Sequence, residues 1–267
     1  MFIEHLSHSR MNLFEECELK YKYKYDQRIK SGEPEPIYFL YGKVVHKFAE
    51  EYVINKGKRS APSILQDILQ GVIPLERKEG GDYGKPQLPQ EYLARLNKEI
   101  TNVCNICDKL GFEGYVEWPF NYDLDPPNKK AIVGFIDRLI PLHDGKKYVI
   151  LDYKTTKTGP WRKNAVTIKQ DMQLKIYARI VQKTLNISGE NIAACLHYVL
   201  DNKVVGVQRF NDADLERTEQ ILLDSYNQID DTPADSARAN VNNHCTRCEF
   251  KKICSAFNNS RMNSSWN

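Results

Sequence analysis

Apolar positions recur along this chain with two different periods, and the switches between them outline its elements. From Ser7 to about Tyr25, Met11, Leu13, Phe14, Cys17 and Tyr21 follow an approximate helical spacing, with Ser7 or Ser9 placed to cap the first turn. Pro34 and Pro36 in SGEPEP exclude its continuation. A second helical pattern runs from about Phe39 to Asn55 and carries His46. Pro62, Gly80, Gly81 and Gly84 mark loops around a short helical stretch, and a longer helix from about Pro89 to Leu110 ends at Gly111. The period then drops to two. YVEWPFNYDL, AIVGFIDRLIPL and KYVILDYKTT are β-branched and aromatic runs, the last two joined through His143, Asp144 and Gly145 as a hairpin. A helix from about Ile168 to Leu185, the strands ACLHYVLD and VVGVQRF, and a helix from about Asp212 to Ile229 follow. The pattern predicts a single α/β domain over residues 1–257, a sheet flanked by helices, with a disordered tail at 258–267.

Composition narrows this picture without changing it. The 267 residues are 41% hydrophobic and 27% charged, enough to bury a core and too apolar for wholesale disorder. A net charge of +3 permits a nucleic-acid partner but does not argue for one. No run approaches the ~18 apolar residues of a membrane span, and MFIEHLSHSR lacks the basic start and apolar stretch of a secretory signal. The expectation is a cytoplasmic protein with no membrane partner.

Candidate chemistry begins in the hairpin. Side chains alternate along a strand, so Asp152 and Lys154 share one face while Leu151 and Tyr153 share the other, and antiparallel pairing can bring Asp137 beside them. Two converging carboxylates are costly without a cation, and a hard divalent metal relieves the repulsion. A lysine two residues on can orient water or neutralise charge developing on a phosphate. Asp-X-Lys alone is too short to point to chemistry and by itself reads as a solvated surface hairpin. Gln173 and Tyr177, four apart, share a helix face, and the imidazole of His46 could complete a metal site. Glu117 is a candidate second acid near the metal or an ordinary strand residue.

Seven cysteines form an uneven set. Cys245, Cys248 and Cys254 make C-x₂-C-x₅-C, with Cys17 the candidate fourth ligand, and four thiolates suit zinc or an iron–sulfur cluster alike. Cys104 and Cys107 lack a second pair and read as helix residues, and Cys195 as a small core residue. In KYKYKY, the lysines Lys20, Lys22 and Lys24 interleave with aromatics such as Tyr23, either a platform for phosphates and bases or a solvated lysine face over buried tyrosines. Trp161, Arg162 and Lys163 could also touch a strand. No G-x₄-G-K-[ST] pattern occurs, so unwinding would need a partner helicase.

Taken in order, His46, Asp137, Asp152-Tyr153-Lys154 and Gln173 to Tyr177 resemble the RecB-type branch of the PD-(D/E)XK nuclease superfamily. The opening SHSRMNLFEECELKYKYKY is similar to that branch's N-terminal helix, with Glu18 where a proline usually follows the cysteine. The resemblance implies a restriction-endonuclease-like core with a central mixed sheet. It implies that His46, Asp137, Asp152 and the Tyr153 carbonyl bind Mg²⁺ or Mn²⁺, that Lys154 assists the attacking water, and that Gln173 and Tyr177 brace the site and contact the DNA backbone. One N-terminal and three C-terminal cysteines are the arrangement of the branch's iron–sulfur members, the CRISPR-associated adaptation nucleases and AddB-type nucleases. That implies a [4Fe–4S] cluster on Cys17, Cys245, Cys248 and Cys254, joining the two ends of the chain. The expected activity is a DNA exonuclease acting on single strands or ends in repair or recombination, working with a helicase or a recombination or adaptation partner. A DNA-end-binding or assembly module with weak or no cleavage is the alternative, against which the intact Asp137, Asp152 and Lys154 speak.

Overall fold

The computed structural model describes residues 5–31, 36–75, 87–143, 145–157 and 159–264, without the side chains of 260–264. Asp144 of the expected turn and the loop glycines Gly80, Gly81 and Gly84 lie outside the described residues. In chain order the elements are α1 (His8–Glu16), α2 (Glu18–Tyr21), α3 (Ile37–Ile54), α4 (Ala61–Leu69), α5 (Gln90–Leu110), β1 (Tyr115–Asp125), β2 (Lys130–Leu142), β3 (Lys147–Lys154), α6 (Met172–Leu185), β4 (Ile192–Tyr198), β5 (Lys203–Val207), α7 (Asp212–Asp231) and α8 (Ser255–Ser264). The five strands form one mixed sheet in the order β1-β2-β3-β4-β5. β2 and β3 are antiparallel, β3 and β4 parallel across α6, and β4 and β5 antiparallel. A parallel pair needs a crossover long enough to hold a helix, which α6 supplies. This is the α/β class the sequence predicts. Among the described residues no helix is long and apolar enough to cross a membrane.

Two compact units divide the chain, residues 1–34, 121–134 and 219–267 forming one and residues 35–120 and 135–218 the other. The larger unit is built on a core from α3, α4, α5 and β3, in which Val44, Val45, Phe48, Ile64, Ile68, Val103 and Leu151 are fully buried. Cys107 is buried in that core, and Cys104 and Cys195 pack against it. Gly114 opens β1 at φ +97, where a Cβ would collide with the Leu139 carbonyl and sit 2.8 Å from Pro141 Cδ. Only glycine lets the chain come this close. The N-cap of α6 is Asp171, whose carboxylate accepts the Leu174 N–H at 3.0 Å and so sets the phase at which Gln173 and Tyr177 emerge.

In the smaller unit the expected single helix from Ser7 to Tyr25 is broken at Cys17, which is extended at φ −166, ψ 108. The cause is tertiary: Leu19 N–H donates to the Arg238 carbonyl at 3.1 Å, and Arg238 N–H to the Glu18 carboxylate at 2.9 Å. Asn240 Nδ2 adds a bond to the Glu16 carbonyl at 3.0 Å. These bonds replace helical ones and turn Cys17 toward residues 238–240. Residues 22–26 then widen into a single π-helical turn. Leu6 bridges Ile132 of β2, its N–H donating to the Ala131 carbonyl at 2.8 Å. Residues 258–264, where the sequence suggests disorder, continue α8, which Phe257 anchors by burial.

Candidate active site

One step beyond the last β2–β3 pair, Arg138 with Leu151, the register sets Asp137 opposite Asp152. Asp137 Oδ2 accepts the Tyr153 N–H at 2.8 Å and lies 3.3 Å from His46 Nδ1 on α3. Alternation along β3 sends Asp152 and Lys154 to this side, and Lys154 Nζ lies 2.7 Å from Asp152 Oδ2. Lys154 Nζ also donates to Gln173 Oε1 at 2.7 Å, and Gln173 Nε2 to Tyr177 Oη at 2.8 Å. Tyr153 turns the other way, 3% exposed, with its hydroxyl 3.4 Å from the Cys107 thiol. The structure thus brings together His46, Asp137, Asp152, Tyr153, Lys154, Gln173 and Tyr177.

Glu117 joins them. Its side chain, with those of His46 and Asp137, offers ligand atoms that all lie within 4.8 Å of one another, the one such group of three among the described residues. Glu117 sits at φ +45, a left-handed conformation that costs a residue with a Cβ of order 1 kcal/mol or more. Such a break in strand geometry re-aims a side chain. This is why simple alternation does not reveal the role of β1 in the site. A contributor that the sequence reading did not name is Arg95 on α5, whose Nη2 donates to the Thr155 carbonyl at 3.0 Å and whose Nε pairs with buried Glu99 at 2.7 Å. The Tyr41 ring lies beneath its guanidinium at 4.6 Å, so the chain just after Lys154 is held rigidly. The Arg95–Glu99 spacing of four was its sequence signal.

The charges show how strongly the site favours a cation. Burial and the neighbouring Asp137 carboxylate push Glu117 up to about 7. Burial raises Asp152 to about 6 despite Lys154, with the Asp137 charge adding to the rise. Burial would also raise Asp137, but the charge and hydrogen bond of His46, the Tyr153 N–H and Lys154 hold it below the ordinary carboxylate value. Burial opposes the charge on His46, yet its interaction with Asp137 lifts it to about 9. Three acids and an imidazole that share protons in this way suit a divalent metal, which favours the deprotonated form of each.

The other expected contacts fare differently. Lys22 is not available to DNA: it is 2% exposed, pairs with Asp26 at 2.8 Å and donates to the Ile229 carbonyl at 2.9 Å. Lys20 pairs with Glu16 at 3.2 Å, Lys24 with Glu249 at 3.4 Å, and Tyr23 packs edge-on to Phe250 at 5.5 Å. KYKYKY is therefore a packed segment of the smaller unit, its charges satisfied internally, and not an open platform. Arg162 is likewise committed, its side chain 9% exposed, with Nε donating to the Thr156 and Lys157 carbonyls and the guanidinium paired with Asp201. It also stacks on Tyr198 at 4.6 Å. Trp161 remains 62% exposed.

Cys17, Cys245, Cys248 and Cys254 line one cavity of the smaller unit together with Tyr23 and Phe250. All four are free thiols, and no three of their sulfurs lie within 4.8 Å of one another. Asn242 N–H points to Cys245 Sγ at 3.4 Å. A family model for the PD-(D/E)XK nuclease superfamily matches residues 5–255. No curated protein matches the chain.

Proposed function

Since the chain belongs to the PD-(D/E)XK nuclease superfamily, whose members cleave nucleic acids with the help of divalent metals, we propose that it is a DNA exonuclease of the RecB-type branch acting on single strands or ends. The observation that carries this reading is the placement of Lys154, 2.7 Å from Asp152 and 2.7 Å from Gln173, beside the His46–Glu117–Asp137 group. His46, Asp137, Asp152 and the Tyr153 carbonyl are the proposed ligands for Mg²⁺ or Mn²⁺, with Glu117 added on the grounds of its position. When bound there, the cation supplies an acidified water and offsets negative charge on the phosphate. The chain's own residues do the rest. Lys154, kept protonated because the charges of Asp152, Asp137 and Asp171 and the hydrogen bond to Asp152 together outweigh burial, faces the attacking water and the developing charge on a phosphate oxygen. Gln173, fixed by Tyr177, denies Lys154 other rotamers. The Arg95 bond to Thr155 prevents the end of β3 from moving as the phosphate is engaged.

A [4Fe–4S] cluster on Cys17, Cys245, Cys248 and Cys254 belongs to the same proposal. The cavity wall is apolar, and the Asn242 N–H is placed as a hydrogen-bond donor to a thiolate. Held there, the cluster ties residues far apart in sequence.

The test is cleavage of end-labelled single- and double-stranded DNA with Mn²⁺ by anaerobically purified protein, wild type beside Asp152→Ala and Lys154→Ala. Cleavage by wild type alone is expected, with a product ladder that reports polarity. Equal inactivity of all three with DNA binding intact would reject the nuclease and leave an end-binding module.

A further inference from the structure

The first turns of α3 leave two aromatic rings uncovered. Tyr38 and Phe39 are 56% and 53% exposed, and their ring centroids lie 4.5 Å apart at 37°, making one continuous two-ring surface. The same helix buries Tyr41, Val44, Val45 and Phe48, so the exposure is not that of a loosely packed element. The surface also has a defined relation to the acidic site. Phe39 precedes His46 by seven residues, two turns, and so lies within about 20° of the same helical stripe and about 10.5 Å along it. Between them Gly42 faces the chain just after Lys154, where a Cβ would sit 3.6 Å from Thr155 Oγ1. The Phe39 ring therefore stands at the rim of the site, on the stripe that carries His46, with the Tyr38 ring against it.

We propose that Tyr38 and Phe39 form a base-stacking platform that holds an unpaired nucleotide of a single-stranded DNA substrate while the scissile phosphate of the same strand lies at the His46–Asp137–Lys154 site. The inference rests on the nuclease reading for its substrate and adds strand selection to it. Chemistry favours this occupant over a protein. The connection from β3 to α6 holds no carboxylate between Asp152 and Asp171 but includes the exposed lysines Lys157 and Lys169. Of these, Lys157 follows Thr155, the residue that Gly42 faces, by two positions, so a polyanion meets positive charge near the aromatic surface, the combination that binds single strands. A duplex keeps its base faces inside, so only an unpaired base can cover the rings. The ~10.5 Å offset along α3 places that base within a few nucleotides of the scissile phosphate.

The test uses the full-length holoprotein in Ca²⁺, with oligothymidylates carrying one 2-aminopurine at successive positions and the matching blunt duplex. Fluorescence quenching should peak at one position within a few nucleotides of the scissile phosphate, and Phe39→Ala should abolish that peak while weakening single-strand binding about 5- to 150-fold. Duplex affinity should not change. Phe39→Trp should restore binding and quenching, and Phe39→Leu, which keeps the bulk, should lose both. Thermal unfolding of each variant checks the fold, and Phe39→Leu decides the matter if the alanine variant is unstable. Unchanged single-strand affinity, or equal losses for single strand and duplex, would overturn the proposal. So would a dimer in sedimentation that Phe39→Ala dissociates without effect on DNA, since the rings would then meet a second copy. Cleavage by wild type against Asp152→Ala is measured in parallel. Phe39-dependent binding without cleavage would reject the nuclease and keep the platform; cleavage without Phe39 dependence would do the reverse.

Discussion

Loading the acidic site with a divalent cation should expel protons, and Glu117→Gln should reduce their number by a measurable amount. Without metal at pH 7, His46, lifted to about 9 by Asp137 against the effect of burial, carries a full proton. Glu117, raised to about 7 by burial and by Asp137, carries about half of one, and Asp152, raised to about 6, about a tenth. Asp137, held low by His46, has none to give. Metal ligands must be deprotonated, so binding should release about 1.6 protons at pH 7 and about 1.0 at pH 8. Release means that affinity rises with pH, here by about twentyfold between pH 7 and pH 8. Glutamine at 117 has no proton to lose, so release at pH 7 should fall to about 1.1, and weaker affinity should accompany the missing charge. Calorimetric titration with Mn²⁺ in buffers of different ionisation enthalpy gives the proton count as a slope. Equal counts for wild type and Glu117→Gln would refute Glu117 as a ligand and return it to an ordinary strand residue. A count near zero would refute the protonated His46–Asp137 pair itself.

Lys154→Ala should lower the rate of DNA cleavage by about 10²–10⁴ while leaving single-strand binding within reach of the wild type, as measured by single-turnover kinetics beside a binding titration; a rate within a few-fold of wild type would remove Lys154 from the chemistry. Cys248→Ser should yield protein without the brown iron–sulfur absorbance of the anaerobic wild type and with a lower unfolding temperature; a colourless wild type containing zinc by metal analysis would reject the cluster. Gly114→Ala forces a Cβ into the Leu139 carbonyl at φ +97 and should cost about 2–4 kcal/mol in urea unfolding; a loss below about 0.5 kcal/mol would mean that β1 and β2 separate easily there.

What could be read from the sequence and what could not divide along a physical line. Asp152 and Lys154 were legible because a regular strand enforces alternation, and Asp137 because a hairpin fixes its partner. Gln173 and Tyr177 were legible because a spacing of four is a contact on any helix. Glu117 was legible only as one of two readings, since its position depends on a left-handed residue inside a strand, which no periodicity announces. Lys22 and Arg162 misled for another reason. A lysine among tyrosines and an arginine after a tryptophan look the same in sequence whether they face a phosphate or a carbonyl. Here Lys22 is claimed by the Ile229 carbonyl, 207 residues away, and Arg162 by Asp201. Cations of both segments are therefore spent on folding. Charge alone is then a poor guide to where a strand would lie, and exposed aromatic area beside the site becomes the better one. Tyr38 and Phe39 meet that criterion, for the helix stripe that sets His46 against Asp137 also carries the Phe39 ring to the rim, with the Tyr38 ring against it.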